Sequence, residues 1–366
     1  MHVSRIELAD YRNYRRAELR LQPGSTLFVG KNGQGKTNLV EAIVVLATGG
    51  SHRVPGEAAL VRAGADSAII RSELTHGSRT ISVDVQLQRK GANKAQAQGK
   101  RIPMRNLPRY AQVVLFAPED LAIVRGEPGG RRKFLDDLVV HRQPRLAGTI
   151  ADYEKVLRQR NSLLKSARQT RMRPEDLTTL DVWDDRMVGL GLELEAARQR
   201  IVQDLAPHVD HAYQAIAGAE HATRLELETN VPPSADDYRT MLEQRRQDEL
   251  DRAVSLVGPH RDDLHLQLND LLARHYASHG ESWSYALSLK LASAQLLRGD
   301  SAGDPVLILD DVFAELDTTR RDRLASAIED FEQVLITAAV EDDVPSELAN
   351  RKIRISDGEI EDADDS

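Results

Sequence analysis

A chain of 366 residues exceeds one average domain, so a single large domain or one carrying an inserted lobe is expected. Its 49 Lys and Arg are outnumbered by 57 Asp and Glu, for a formal net charge of -8. That excludes a protein that coats nucleic acid through overall positive charge, so any such contact must be local. With no cysteine, disulfides, thiolate metal sites and cysteine nucleophiles are excluded, and a reducing cytosol is the expected compartment. The first ten residues alternate partly and do not set a basic patch before an apolar run, so no secretory signal is expected. The longest apolar stretch, residues 39–47, carries Glu41 and falls far short of the ~20 residues of a membrane helix, so no membrane partner is expected.

In chain order, residues 3–29 form short alternating runs, Glu18-Leu19-Arg20-Leu21 and Thr26-Leu27-Phe28-Val29 among them, which predict strands feeding a glycine loop. The apolar segment at 38–48 predicts a helix after that loop. A strand-rich meander follows, in which residues 80–88 alternate and Gly91-Ala92-Asn93 supplies a turn. The middle then changes period. Tyr153, Val156, Leu157, Leu164 and Ala167 recur at helical spacing, as do Met187, Leu190, Leu194, Ala197, Ile201 and Leu205. Arg171-Met172-Arg173-Pro174 interrupts them, so the two long helices form either a projecting antiparallel hairpin or core helices of a globular lobe. Pro232-Pro233 marks a loop, a third helix is expected near 235–253, and Leu264-His265-Leu266-Gln267-Leu268 reads as a strand. The tail from 355 holds six acidic residues and no basic ones, and its end is expected to be disordered.

Gly30-Lys31-Asn32-Gly33-Gln34-Gly35-Lys36-Thr37 fits the P-loop pattern. Such a pattern also arises by chance in glycine-rich turns, but here a strand precedes it and a helix follows. In a P-loop the backbone N–H groups curl around phosphates, Lys36 reaches the β/γ oxygens, Thr37 ligates Mg²⁺, and the helix start adds positive potential. Far downstream, Val306-Leu307-Ile308-Leu309 ends in Asp310-Asp311. Two aspartates closing an apolar strand also suit a turn or a helix N-cap. Paired with the P-loop they read as a Walker B element, with Asp310 in the magnesium shell and Asp311 where a general base or water-orienting carboxylate would sit. Lys36 and Asp311 are therefore the candidate catalytic residues. Ser278-His279-Gly280-Glu281-Ser282 opens a helix running to Leu297. Taken alone it is an N-cap. In the order P-loop, long insertion, this element, Walker B, then Glu315-Leu316-Asp317 as a D-loop, it reads as an ABC signature offering a hydroxyl and free N–H groups to an anion.

These motifs resemble the RecF family, relatives of the SMC-type ABC heads. The resemblance is also carried by Asp10-Tyr11-Arg12-Asn13-Tyr14, by Asn38 and Glu41, by Phe116-Ala117-Pro118-Glu119-Asp120-Leu121 and by Arg131-Arg132-Lys133-Phe134-Leu135-Asp136. Arg158-Gln159-Arg160-Asn161, Gly258-Pro259-His260-Arg261-Asp262-Asp263 and the run from Leu309 to Asp317 extend it. It implies an α/β fold: a P-loop ABC-type ATPase head, residues 1–125 and 255–366, with the signature helix at 278–298 near the lobe junction. A mainly helical lobe with an antiparallel arm would occupy 126–254. It also implies a slow ATPase that dimerises on ATP with Ser278, Gly280 and Glu281 completing the partner's site, binds gapped or junction DNA, and works with RecO and RecR to help load RecA. Asp311 stands where ABC proteins usually carry glutamate, and Ile336-Thr337-Ala338-Ala339 lacks the switch histidine. Both departures point to slow hydrolysis.

Two stretches could meet phosphate on this acidic chain. Residues 89–109 hold seven Lys and Arg and no acid, and 142–173 hold nine against Asp152 and Glu154; either is a phosphate-binding patch or a solvated face. No aromatic interleaving suggests base stacking. His260, Arg261, Asp262 and Asp263 are consecutive, which favours a structural polar network near the nucleotide over a catalytic or metal cluster. The rival readings are weaker. A transporter ABC subunit would have a shorter spacing from Thr37 to Ser278, a small-molecule P-loop kinase gives the signature helix no role, and a scaffold with a vestigial site would not change oligomeric state with ATP.

Overall fold

The N-terminal alternation becomes β1 (His2–Tyr11), β2 (Tyr14–Arg20) and β3 (Gly24–Val29) in a computed structural model that describes residues 1–54, 56–218, 221–299 and 303–362. After the glycine loop comes α1 (Lys36–Thr48), apolar on nearly all sides and buried to match; Gly49, left-handed at φ 78°, ends it by donating to the Val45 carbonyl. The meander is β4 (Ser67–His76), β5 (Arg79–Gln88), β6 (Lys94–Ala97) and β7 (Lys100–Ile102). β8 (Val113–Phe116) leads into α2 (Leu121–Arg125), α3 (Pro128–Arg142), α4 (Leu146–Gln169) and α5 (Thr178–Ala217). Then come β9 (Thr223–Glu228), α6 (Ala235–Arg252), β10 (Asp263–Leu268), β11 (Leu271–Leu272), α7 (Ala273–Tyr276) and α8 (His279–Arg298). The chain closes with β12 (Val306–Asp310), α9 (Thr318–Ile328), β13 (Gln333–Ala338), β14 (Arg351–Ser356) and β15 (Glu359–Asp362). The acidic tail is thus a strand pair up to 362, and its expected disordered end, 363–366, lies outside the described residues. No helix among the described residues is long and apolar enough to cross a membrane.

Two units emerge, one from Met1–Leu121, His208–Glu220 and His279–Ser366, the other from Ala122–Pro207 and His221–Ser278. These limits differ from the expected 1–125/255–366 and 126–254 for two physical reasons. β10 pairs antiparallel with β9, which draws the residues after 255 into the second unit. The last turns of α5 bury Ala212 and Ile216 with α8 and α9, which draws them into the first.

In the first unit one sheet is antiparallel, in the order β2-β1-β4-β5-β6-β7; the other runs β15-β14-β3-β13-β12-β8 and is parallel except for β15. α1 packs Val40, Ile43 and Val44 with Ile6, Leu8, Ile70 and Val85 of the first sheet and Val306 and Ile308 of the second. Leu307 and Leu309 face the other way, onto Leu287, Leu291, Leu324 and Ile328 of α8 and α9. Burial on both faces explains why β12 reads as an unbroken apolar run. Both the glycine loop and the Asp310-Asp311 pair leave the carboxyl ends of parallel strands, the edge where open α/β sheets bind ligands.

In the second unit α4 and α5 share their buried residues with α6: Tyr153, Val156, Met187 and Leu194 with Tyr238 and Leu242, and Leu164 and Leu180 with Leu250. Of the two arrangements open to the sequence, these are packed helices of a lobe. Arg160, fully buried, donates to Asp184 (2.6 Å), Glu249 (2.6 Å) and the Ser255 hydroxyl (2.8 Å), and Asn161 accepts from the Ser255 amide at 2.7 Å. Arg131 makes a two-pronged contact with Asp263 (2.6 and 2.9 Å). The Tyr153 hydroxyl donates to His260 Nδ1 at 2.7 Å, and His260 Nε2 donates to the Ser255 carbonyl at 3.1 Å. Burial pushes that imidazole down to about 4, so it is neutral near pH 7. Asp262 accepts from the Asn230 amide and from Arg198. Arg261 donates to the same Ser255 carbonyl (3.1 and 2.8 Å), so the four consecutive polar residues 260–263 are spent on a network within the second unit, and no metal-binding cluster occurs among the described residues.

Replacing Arg160 with methionine takes the cation from buried Glu249 and leaves Asp184 to Arg246 alone, so Arg160→Met is expected to lower stability by about 3–5 kcal/mol in urea denaturation of the full chain. A loss below about 1 kcal/mol would show that Asp184 and Glu249 find other compensation.

Candidate nucleotide site

The loop at 30–37 joins β3 to α1 and is held from behind by the β1–β2 hairpin. The Asn13 amide donates to the Gln34 carbonyl (3.0 Å) and the Tyr14 hydroxyl to the Gly35 carbonyl (3.0 Å). Gly35 turns the chain into α1 at φ 121°, and an added Cβ would lie 2.8 Å from both the Asn13 amide nitrogen and the Tyr14 hydroxyl. Only glycine fits. Gly35 offers α1 no side-chain cap, which leaves the first-turn N–H groups of Lys36, Thr37 and Asn38 facing the loop's concavity. Gln34 is fixed by the β14–β15 turn, where the Asp357 amide donates to its side-chain oxygen at 2.5 Å; Lys31, Asn32 and Gly33 form the loop's outer rim.

Lys36 is buried, 3% exposed, with its ammonium donating to the carbonyls of Gly30 (2.6 Å) and Lys31 (3.3 Å). The charge is folded back over the loop. Thr37 donates its hydroxyl to Asp310 Oδ1 at 2.9 Å, and Thr337 at the end of β13 donates to the same oxygen at 2.6 Å. Asp311 follows in the left-handed region at φ 53°, and its N–H donates to the Thr337 hydroxyl at 3.0 Å. A strained aspartate held at a strand end is a common functional device. Burial, against the two threonine hydroxyls, raises the Asp310 carboxyl above its usual range, and Asp311 and Glu119 add to the rise. Burial raises Asp311 too, with Lys36 opposing it. A buried carboxylate supported by hydroxyls alone, beside a second acid, favours a hard cation; Thr37 and Asp310 are the oxygen donors that suit Mg²⁺.

Several residues that complete this site were not assigned a role from the sequence. Thr337 stands in the segment noted only for lacking histidine. Glu41, in an otherwise apolar helix, is fully buried and accepts from Arg12 Nε (2.8 Å) and Nη2 (2.7 Å), from Ser51 (2.5 Å) and from Tyr11 (3.3 Å). That lone acid in an apolar run was the signal. Beside the loop lies a concave pocket of about 460 Å³ whose lining includes Arg12, Asn13, Asn38, Arg53 and Arg89. The structure thus gathers Lys36, Thr37, Asp310 and Asp311. The signature element opens α8 as expected from its sequence, with Glu281 in the first turn, but Gly280 packs against Arg320 and not against this chain's own loop.

The family described as the RecF/RecN/SMC N terminal domain matches residues 2–360. DNA replication and repair protein RecF of Clavibacter michiganensis subsp. michiganensis is 52% identical over 99% of this chain and 96% of its own. The chain belongs to the RecF family. Its Streptomyces avermitilis relative of that name is 50% identical over 99% of this chain and 100% of its own. Among solved structures, the recombination mediator protein RecF with ATP, described in the RecFOR pathway, superposes with a TM-score of 0.88 at 26% identity over 98% of this chain and 97% of that one. The Smc head of Pyrococcus furiosus, at 16% identity and a TM-score of 0.58 over 98% of this chain and 95% of that one, shares the fold. The chain thus has the fold of an ABC-type ATPase head.

Tyr14→Phe removes only the hydroxyl that holds the Gly35 carbonyl. It is expected to cost about 1 kcal/mol in chemical denaturation and to weaken ATP binding by isothermal titration; unchanged affinity would show that the loop keeps its shape without the clamp.

Proposed function

We propose that this chain is an ATP-dependent DNA-binding recombination mediator of the cytoplasm, a slow ATPase that dimerises on ATP. In this reading it engages gapped or junction DNA and works with RecO and RecR to help load RecA in repair and replication restart. The observation that carries the ATPase part is the meeting of Lys36, Thr37, Asp310 and Asp311 at the ends of parallel strands. The loop at 30–37 cradles the phosphates with its N–H groups, and Lys36 moves from the Gly30 carbonyl onto the β/γ oxygens. Thr37 and Asp310 would hold Mg²⁺, which supplies positive charge to the terminal phosphates. Asp311 orients the attacking water. Its short side chain holds that water loosely, and a threonine hydroxyl at 337 stabilises developing charge less than an imidazole, so turnover is slow. Ser278, Gly280 and Glu281 serve the site of a second copy, which makes ATP an interface ligand and couples binding to dimerisation.

Charge supports a DNA contact on β6, β7 and the loops beside them. Lys90, Lys94, Lys100, Arg101, Arg105 and Arg109 are all exposed, and none forms an ion pair among the described residues. In the other basic stretch Arg142 pairs with Asp204, Arg145 with Glu193, Arg158 with Glu154, Arg160 with Asp184 and Glu249, and Arg173 with Glu175 and Asp176. Phosphates of DNA release counterions only where cations are free to meet them, which favours the first stretch.

Binding to gapped duplex, single strand and blunt duplex with and without ATP tests this reading; ATP-independent binding by a monomer would overturn it. Lys36→Arg should lower hydrolysis by about 10²-fold or more, because a planar guanidinium cannot replace the compact ammonium. Asp311→Asn should leave ATP binding intact and hold the dimer in sedimentation, whereas loss of binding would remove Asp311 from the water-orienting role. Neutralising Lys94, Lys100, Arg101 and Arg105 together should weaken DNA binding and flatten its salt dependence by about 0.9 in log–log slope for each phosphate that is no longer neutralised; an unchanged slope would clear that face.

A further inference from the structure

Arg320 has no part in the reading above, yet its placement is unusual. It lies in the first turn of α9, where its N–H donates to Asp317 Oδ1 at 3.0 Å, the cap of that helix. Its guanidinium extends to the start of α8. An ideal Cβ on Gly280 would be 2.8 Å from Nη1 and 3.0 Å from Nη2. Gly280 is not among the residues with positive φ, so no turn demands a glycine there; the missing side chain makes room for the guanidinium.

That position is electrostatically costly. α8 and α9 both begin here, and each helix start carries partial positive charge that disfavours a cation. The carboxylates close by are Asp317, 3.5 Å from Nη1 and itself 59% exposed, and Glu281 in the first turn of α8. Glu281 and Arg320 act on the same buried phenol, Tyr213, in opposite senses. Arg320 remains 27% exposed, with a fork of N–H donors of which the Asp317 carboxylate, 3.5 Å from Nη1, meets only one end. An anion with several oxygens, arriving from outside the chain, would relieve both the helix starts and the guanidinium.

We infer that Arg320 binds the terminal phosphate of a nucleoside triphosphate held by Lys36 and Thr37 of a second copy of the chain, with Gly280 as its seat. This rests on the shared-site reading of the proposed function. Arginine suits the task because its planar fork matches phosphate oxygens and it sheds water more easily than an ammonium. Because the contact is to the terminal phosphate, Arg320 favours the dimer with triphosphate over diphosphate, so hydrolysis itself loosens the pair. Its attachment to Asp317 carries the same event into the D-loop and α9.

The test uses the full chain with Arg320→Ala and Arg320→Lys. Both should melt like the wild type and bind ATP as monomers with unchanged affinity. Arg320→Ala should lose ATP-driven dimerisation in sedimentation and lower hydrolysis by about 10²-fold, with Arg320→Lys in between. Mixing Arg320→Ala with Lys36→Met places both lesions in one site of a mixed dimer and leaves the other intact, so activity absent from either variant alone should return. Wild-type hydrolysis and dimerisation by Arg320→Ala would overturn the inference. So would a lowered melting temperature in both variants, which would make Arg320 structural. A parallel mixture of Ser278→Arg with Lys36→Met separates the two levels of the argument. Recovery there without recovery in the Arg320→Ala mixture would mean that Arg320 acts on its own chain, and only this inference would fall. No recovery in either mixture, with mixed dimers demonstrated, would overturn the shared site itself.

Discussion

The carboxylate of Asp310 receives hydroxyl hydrogen bonds from Thr37 and Thr337 on one oxygen, and through it the glycine loop, β12 and β13 become one object. The bond is possible only because the strand order places β13 between β3 and β12. A neutral side chain would be easier to bury there. Holding an acid in that place, with only hydroxyls to support it and a second acid next in sequence, keeps a deficit of positive charge at the strand ends that a metal ion and a nucleotide can satisfy. The apolar packing of β12 on both faces holds Asp310 in register, since a slip of one residue would exchange the two faces.

The antiparallel sheet serves the same loop from the other side. The β1–β2 hairpin lays Asn13 and Tyr14 against Gln34 and Gly35, while Arg12 and Tyr11 close on Glu41 of α1. A buried ion pair is weak support for stability by itself, because desolvation offsets most of the attraction. Its geometric effect is larger: Glu41 can be buried only with Arg12, Tyr11 and Ser51 in place, so the helix that begins in the loop cannot rotate without leaving that charge unpaired. The second unit uses the same device around Arg160 and Arg131, where guanidiniums join segments of α3, α4, α5 and α6 to β10 and the loop before it.

Those internal pairs also redistribute the surface. A stretch that is strongly basic in one dimension loses part of its charge when Asp184, Glu193, Asp204 and Glu249 are brought against it. The shorter stretch at 89–109 lies on the last two strands of its sheet and on loops, with no acidic partner among the described residues, so its charge survives folding. An acidic chain can therefore present a local cationic face without being a basic protein.

The sequence by itself determined the elements and motifs whose signals are local. The glycine loop between strand and helix, the apolar strand ending in Asp310-Asp311, and the helix starting at the 278–282 run were all legible. Periodicity and contiguous chemistry suffice for them, and the many short motifs shared with the RecF family follow the same order along the chain. The tertiary structure decided what depends on pairing distant residues. Thr337 as partner of Asp310, the hairpin clamp on Gly35, the burial of Glu41 by Arg12 and the seat of Arg320 on Gly280 join positions that are tens of residues apart, and no local period reports them. The limits of the two units belong to this class as well, because β9 and β10 meet across an intervening helix and one long helix contributes to both units. Strand order and side-chain packing fix such contacts, and both arise only when the whole chain has folded.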